Sequence, residues 1–402
     1  MQETEQSEYE QRPAGDDLTK RDSIAYQYIS EQAQADALTE KLRGAGQAGM
    51  DIEADSFHHY FPKVCLIQLS FGKVNAIVDP LAGADLSELM ETLSEKGLVL
   101  HDAGYDLRML KKDFGFVPKG RIYDTMLAGR LLGLKRLGLE GMLADVLGVE
   151  INKVSQQRAD WSARPLREDL LNYAATDTHH LPRLWGVLEG RLRQLGRLDW
   201  HRESCQRAVC AAMENPKDAD SDTQWRIKGS RDLSDRELEF LKVLWYWRDK
   251  EARKSDVPAF RVIGSEQLLS IAIKAQSQEQ FSIEGLGRLP RNLRGSRLRA
   301  FLNVLEHARA SQAGSWPGQL RAERTRRPDM RISQRFEQLK RRCRAIAERL
   351  GLQPEVVASR AAMGRIAAGH NGDLNGLVEE GLVMRWQAQL LAEAVSEVFD
   401  SN

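Results

Sequence analysis

Gly49-Met50-Asp51-Ile52-Glu53, followed by Val64–Ser70 (VCLIQLS), Val74–Asp79 (VNAIVD) and Leu98–His101 (LVLH), decides the fold. Each run has strand length and a β-branched or bulky apolar content. Gly72-Lys73 separates the second run from the third as a hairpin turn would, so those strands should be antiparallel. A helical pattern over Ser30–Leu42 precedes them. Further helical patterns follow at Leu86–Glu95, Asp106–Phe114, Asp124–Leu132, Leu139–Leu147 and Leu166–Leu188. A three-strand meander, then strands alternating with helices, predicts an α/β mixed sheet flanked by helices.

Outward from this block, composition divides the 402 residues further. Residues 1–22 are polar and acidic and read as a disordered tail, and 23–212 form the α/β block. Residues 213–224 (MENPKDADSDTQ) read as a linker, so a chain ending near 212 is expected to keep its own core. Residues 225–310 read as helical throughout. A second loose stretch, 311–329, leads to another helical block over 330–399. No internal repeat of roughly 20–50 residues stands out.

The composition excludes several classes. Hydrophobic residues make up 42%, enough for ordinary cores, so wholesale disorder is excluded. No uncharged apolar run approaches the roughly 18 residues of a membrane span. The acidic start is unlike a secretory signal. The four cysteines are too few for a disulfide scaffold and none forms CxxC. Cys65 reads as core, and Cys205 and Cys210 as buried helix residues. These features predict a cytoplasmic protein with no membrane association. The charges, 58 basic and 58 acidic, cancel overall but are segregated: residues 1–100 carry 8 basic against 18 acidic, and 251–350 carry 21 against 10. A basic rear fits a polyanionic partner, or else a set of solvated arginine-rich helices.

Three acidic signals carry the chemistry. Asp51 and Glu53 alternate along a strand and so share a face, where two carboxylates repel unless a cation lies between them. Hard cations such as magnesium and manganese prefer such oxygens. Asp-x-Glu also occurs at Asp235–Glu237 and Asp249–Glu251, in charged helical stretches that read as solvated faces. Asp106, in His101-Asp102-Ala103-Gly104-Tyr105-Asp106, follows the fourth strand at the carboxyl edge of the sheet, or simply caps a helix. Tyr173 and Asp177 lie four apart on one helix face, and of the eight tyrosines only this one has Asp at the fourth position. A core tyrosine with a satisfied hydroxyl would look the same.

Taken together, Asp-x-Glu on a first strand, Asp about 55 residues later and Tyr-x-x-x-Asp about 70 beyond that resemble the DEDDy exonuclease superfamily. Phe61–Leu69 (FPKVCLIQL) and Arg158–Leu166 (RADWSARPL), leading into Asn172–Leu181, are similar to the ribonuclease D family within it. The likeness covers about residues 26–200. Trp225–Gly229, Leu241–Ala252, Val257-Pro258 and Arg261–Ile263 resemble the HRDC domain, a small helical nucleic-acid-binding module. Residues 330–399, with Leu352–Glu355 and Arg385-Trp386, are similar to a divergent second copy. The sequence departs from the family at Asp102, where an amide is usual, and at Ile52, where Thr is commoner.

The resemblance implies a ribonuclease-H-like exonuclease domain followed by two all-α HRDC-like domains. It implies two divalent cations, Mg or Mn, and 3′→5′ hydrolysis releasing 5′-mononucleotides. Asp51, Glu53 and Asp177 would hold the cation that activates water, and Asp51 and Asp106 the one at the leaving oxygen. Tyr173, with a free pKa near 10, would orient the nucleophile. The implied partner is RNA with a free 3′ end, transfer-RNA precursors among them, met by a monomer. DNA as substrate, or a non-catalytic RNA-binding scaffold, are the alternatives, and the intact acidic set speaks against the last. Arg288, Arg291, Arg294, Arg297 and Arg299, and a second run from Arg321 to Arg349, would contact phosphates. Trp225, Trp245 and Trp247 read as core. His58-His59 either approach substrate or form a surface loop without a role.

Overall fold

A computed structural model describes residues 24–151, 156, 158–214, 223–278, 281–319, 329–369 and 374–400. The expected tail, most of the first expected linker, and Arg321, Arg324, Arg326 and Arg327 lie outside these residues. The sheet has six strands, β1 (Gln27–Ile29), β2 (Gln47–Ala54), β3 (Val64–Phe71), β4 (Val74–Val78), β5 (Gly97–Leu100) and β6 (Ile122–Asp124), in the order β1-β4-β3-β2-β5-β6. The β3–β4 pair is antiparallel, as the hairpin reading expects, and Gly72 takes the left-handed turn position at φ 55°. β2 and β3 are antiparallel, and the other three pairs are parallel. Both edge strands go beyond the sequence reading. At three residues each they are too short to show periodicity, and a parallel neighbour's ladder defines them.

Among the described residues eight helices accompany the sheet: α1 (Gln32–Arg43), α2 (Ser87–Glu95), α3 (Gly104–Phe114), α4 (Thr125–Leu131), α5 (Leu139–Leu147), α6 (Glu168–His179), α7 (Leu181–Gln194) and α8 (Leu198–Met213). Alternation on β2 sorts its side chains. Ala48, Met50 and Ile52 enter the core shared with α1, α2 and α3, while Gly49, Asp51 and Glu53 face the side covered by α6. The single helix expected over Leu166–Leu188 is two. It breaks at His180, and Pro182 in the first turn of α7 has no N–H to continue the ladder. Cys65, Cys205 and Cys343 are buried, but Cys210 is exposed, contrary to expectation, on the outer face of α8.

The rear comprises two helical units with separate cores. The first has α9 (Asp235–Ser255), α10 (Ala259–Val262), α11 (Ser265–Gln276), α12 (Ile283–Leu286) and α13 (Gly295–Ala310). The second has α14 (Met330–Leu350), α15 (Pro354–Val357), α16 (Arg360–Ala368), α17 (Leu374–Glu379) and α18 (Arg385–Asp400). Each starts with a 21-residue helix closed by a left-handed residue, Asp256 or Gly351, and ends with a 16-residue helix. Trp225 and Trp247 are core, as expected, and Trp245 packs against that core partly buried.

Both units dock on the α/β block. Asp256 accepts hydrogen bonds from the Tyr60 and Phe61 amides at 3.0 and 3.1 Å and pairs with His59 Nδ1 at 2.8 Å. Tyr60 Oη donates to Asp249 at 2.6 Å, and Arg261 meets His58 at 3.1 Å. His58 and His59 are thus not without a role: both take part in a domain contact. Asp249 and Glu251 are not a solvated face either: Asp249 receives Tyr60, and Glu251 pairs with Arg297 at 3.0 Å. In the second unit Trp386 stacks on Trp200 with ring centroids 4.7 Å apart and is 4% exposed. Arg197 donates to the carbonyls of Leu131 and Leu350. The block ending near residue 212 keeps clusters made only of its own residues, and one further cluster is completed by Trp386, Val356, Met384 and Leu390 of the second rear unit.

Candidate active site: an acidic cluster beneath a tyrosine-bearing helix

The strand alternation that buries Met50 and Ile52 turns Asp51 and Glu53 toward α6. Glycine at position 49 lets the α6–α7 break come down onto β2. A Cβ there would lie 3.0 Å from the Thr178 carbonyl and 3.1 Å from Pro182 Cδ, closer than ordinary packing allows. Ser70, opposite Gly49 on β3, hydrogen-bonds Thr178 at 2.9 Å and ties the same turn to the sheet. The result brings Asp177 to the first-strand pair: one carboxylate oxygen from each of Asp51, Glu53 and Asp177 lies within 4.8 Å of the other two. Such mutual approach of three hard oxygen donors suits a divalent cation.

Asp106 is not among those three closest oxygens, but it belongs to the same electrostatic unit. It is buried, and burial together with the charges of Asp51, Glu53, Asp102 and Asp124 raises its carboxyl well above the usual carboxylate range. It is not the N-cap of α3. Ala103 holds that position, and Asp106 stands in the first turn with its side chain turned inward. Asp102 is exposed in a left-handed conformation (φ 63°), so it adds charge from the rim rather than a ligand from within.

Tyr173 is half-buried on α6, one turn before Asp177, with its ring 6.1 Å from buried Trp161. Burial, then the charge of Asp177 and Glu53, and a hydrogen bond to Asp177 push its hydroxyl far above the ordinary tyrosine value. At neutral pH the group is a proton donor, not a base. Arg164 anchors the segment that leads into α6: its guanidinium grips Asp79 at 2.6 and 2.7 Å and donates to the Cys65 and Trp161 carbonyls. Asp51, Glu53 and Asp177 thus approach one another directly, and Asp106 and Tyr173 lie within electrostatic range of them.

Sequence reasoning missed Asp124. Its buried carboxylate accepts from Met126 and Leu127, capping α4, and also from Ala103 at 2.9 Å and Asp102 at 3.3 Å, which holds the turn presenting Asp106. An Asp between a short apolar run and a helical pattern was the available signal.

Comparison with known proteins gives these observations a family. A family model described as 3′–5′ exonuclease matches residues 26–193, and one described as HRDC domain matches 237–302. Ribonuclease D of Gluconacetobacter diazotrophicus is 30% identical over 345 residues, covering 84% of this chain and 85% of that one. Exosome complex component 10 of Rattus norvegicus is 33% identical over 255 residues, 60% of this chain but only 28% of that one. The crystal structure of Escherichia coli RNase D superposes with a TM-score of 0.67 at 24% identity, covering 94% and 99% of the two chains, a likeness of fold. With the identity to ribonuclease D sustained through both the acidic domain and the helical rear, the chain belongs to the ribonuclease D family and is a 3′–5′ exoribonuclease.

Proposed function

We propose that this exoribonuclease removes nucleotides from RNA 3′ ends with two divalent cations, Mg or Mn, releasing 5′-mononucleotides. The convergence of Asp51, Glu53 and Asp177 within 4.8 Å carries the reading. These three would hold one cation, and Asp51 with Asp106 the other. When bound, the cations supply an activated water and charge compensation at the leaving 3′-oxygen. The remaining work falls to the chain. Tyr173, kept protonated by burial and by Asp177, offers its O–H to orient the attacking water. Burial and the charges of its acidic neighbours raise the Asp106 carboxyl, and a cation bound beside it would offset that repulsion.

The rear units supply the grip on RNA. Arg288, Arg291 and Arg294 are exposed on the loop between α12 and α13, and Asn292 beside them donates to the Arg261 carbonyl at 2.9 Å. Arg261 in turn meets His58, a few residues beyond Glu53, so this basic loop lies on the side of the first motif. Arg297 is withdrawn by Glu251, but Arg299 and, on α14, Arg341 and Arg344 are exposed. Phosphate contacts of this kind give affinity without base preference. The second rear unit, with its matching helix order, is read as a divergent HRDC-like domain. Transfer-RNA precursors with single-stranded 3′ tails are the proposed substrates, met by a monomer in the cytoplasm. Among the described residues no helix is long and apolar enough to cross a membrane. The test is digestion of matched 3′- and 5′-labelled RNA and DNA with Mg²⁺ or Mn²⁺ and then with chelator. Mononucleotide release from RNA that stops in chelator is expected. Equal or faster attack on DNA would replace the RNA reading by the DNA one, and activity in chelator would end the cation reading.

A further inference from the structure

Gln68 stands directly opposite Asp51 in the β2–β3 ladder, so the two side chains leave the same face of the sheet. Its other rung partner is Ile77 on β4, and α6 covers the face. Gln68 has no exposed surface, and neither its carboxamide nitrogen nor its oxygen has a hydrogen-bond partner. The polar residue on the neighbouring rung of the same strand face behaves otherwise: Ser70 is bonded to Thr178 and Asn75. Its rung partner Ile77 and its same-face neighbour Leu66 belong to an apolar cluster with Ala174 and Ala175 of α6, so apolar side chains border the space it occupies beside Asp51. Met or Leu would fill it without the desolvation cost that an unsatisfied buried amide carries. A side chain that weakens the empty protein needs a reason, and the neighbour it could serve is the carboxylate shared between the proposed cations.

We infer that Gln68 is a positioning residue for the cation site: in the loaded protein its carboxamide N–H donates to the Asp51 carboxylate and holds the orientation in which that group meets the cations. The inference rests on reading the acidic cluster as a cation site. Hydrogen bonds to a ligand from behind orient it, and losing one typically weakens metal binding about 10- to 100-fold.

The experiment compares the full chain with Q68M, Q68L and D51N. It measures Mn²⁺ binding by calorimetry without RNA, and thermal unfolding in chelator. Q68M and Q68L should unfold at the same or a higher temperature than wild type in chelator, yet bind Mn²⁺ about 10- to 100-fold more weakly. Wild-type Mn²⁺ affinity in both overturns the inference. So does a lower unfolding temperature in either, which would make Gln68 a packing residue. D51N separates the two levels of the argument: if D51N binds Mn²⁺ as wild type does, the cation reading fails; if it does not, failure of the Gln68 variants is specific to Gln68.

Discussion

Asp177→Asn isolates the charge of one carboxylate at almost constant shape. Its nearest oxygen lies within 4.8 Å of oxygens from both Asp51 and Glu53. At that distance and an effective dielectric near 20, each pair of unit charges repels by about 3.5 kcal/mol. Asp51 and Glu53 are only partly buried, so solvent screening reduces the net strain on the cation-free protein to about 1–3 kcal/mol. Asn keeps an acceptor for Tyr173 and removes both repulsions. In chelator the variant should therefore melt higher, by about 2–4 °C per kcal/mol for a domain of this size. Mg²⁺ should reverse the order. At about 100 times its dissociation constant it stabilises the wild type by about 2.7 kcal/mol, and a site lacking one of its three converging oxygens gains far less. Melting curves with chelator and with Mg²⁺, alongside 3′-end digestion of labelled RNA, test this. A variant that melts lower in chelator, or shows the wild-type Mg²⁺ shift, would refute the reasoning, because the carboxylates would then be held by something other than their need for a cation.

Asp106→Asn adds a pH signature. The folded carboxyl lies above its unfolded value, so in chelator the wild type loses stability as pH rises from about 4 through the raised range, and the variant should lack this slope; urea titrations at several pH values would show parallel slopes if Asp106 is unstrained. Tyr173→Phe keeps the ring over Trp161 and removes the O–H, so turnover should fall about 10²-fold with little change in melting, and an unchanged rate would return Tyr173 to the core. Trp386→Ala empties a buried site against Trp200 and should cost about 3–5 kcal/mol, read by calorimetry and by faster proteolysis near residue 213; a loss under about 1 kcal/mol would mean that the α/β block is closed without α18.

The local features of the site were legible in the sequence. A period of two puts Asp51 and Glu53 on one face, a period of 3.6 puts Tyr173 beside Asp177, and the Gly72 turn makes β3 and β4 antiparallel, because each property depends on neighbours along the chain. The juxtaposition of Asp177 with Asp51 is of another kind. It depends on how closely the α6–α7 break can approach β2, which the missing Cβ of Gly49 and the hydroxyls of Ser70 and Thr178 set across more than 100 residues of chain. The domain contacts were hidden for a related reason. Asp256 looks like any exposed acid at a helix end, and Trp386 like any core aromatic, until the partners Tyr60 and Trp200 are in place. Gln68 went unremarked in the sequence; its isolation beside Asp51 emerged only when β2, β4 and α6 had closed around it, since burial belongs to the packed sheet and not to the strand.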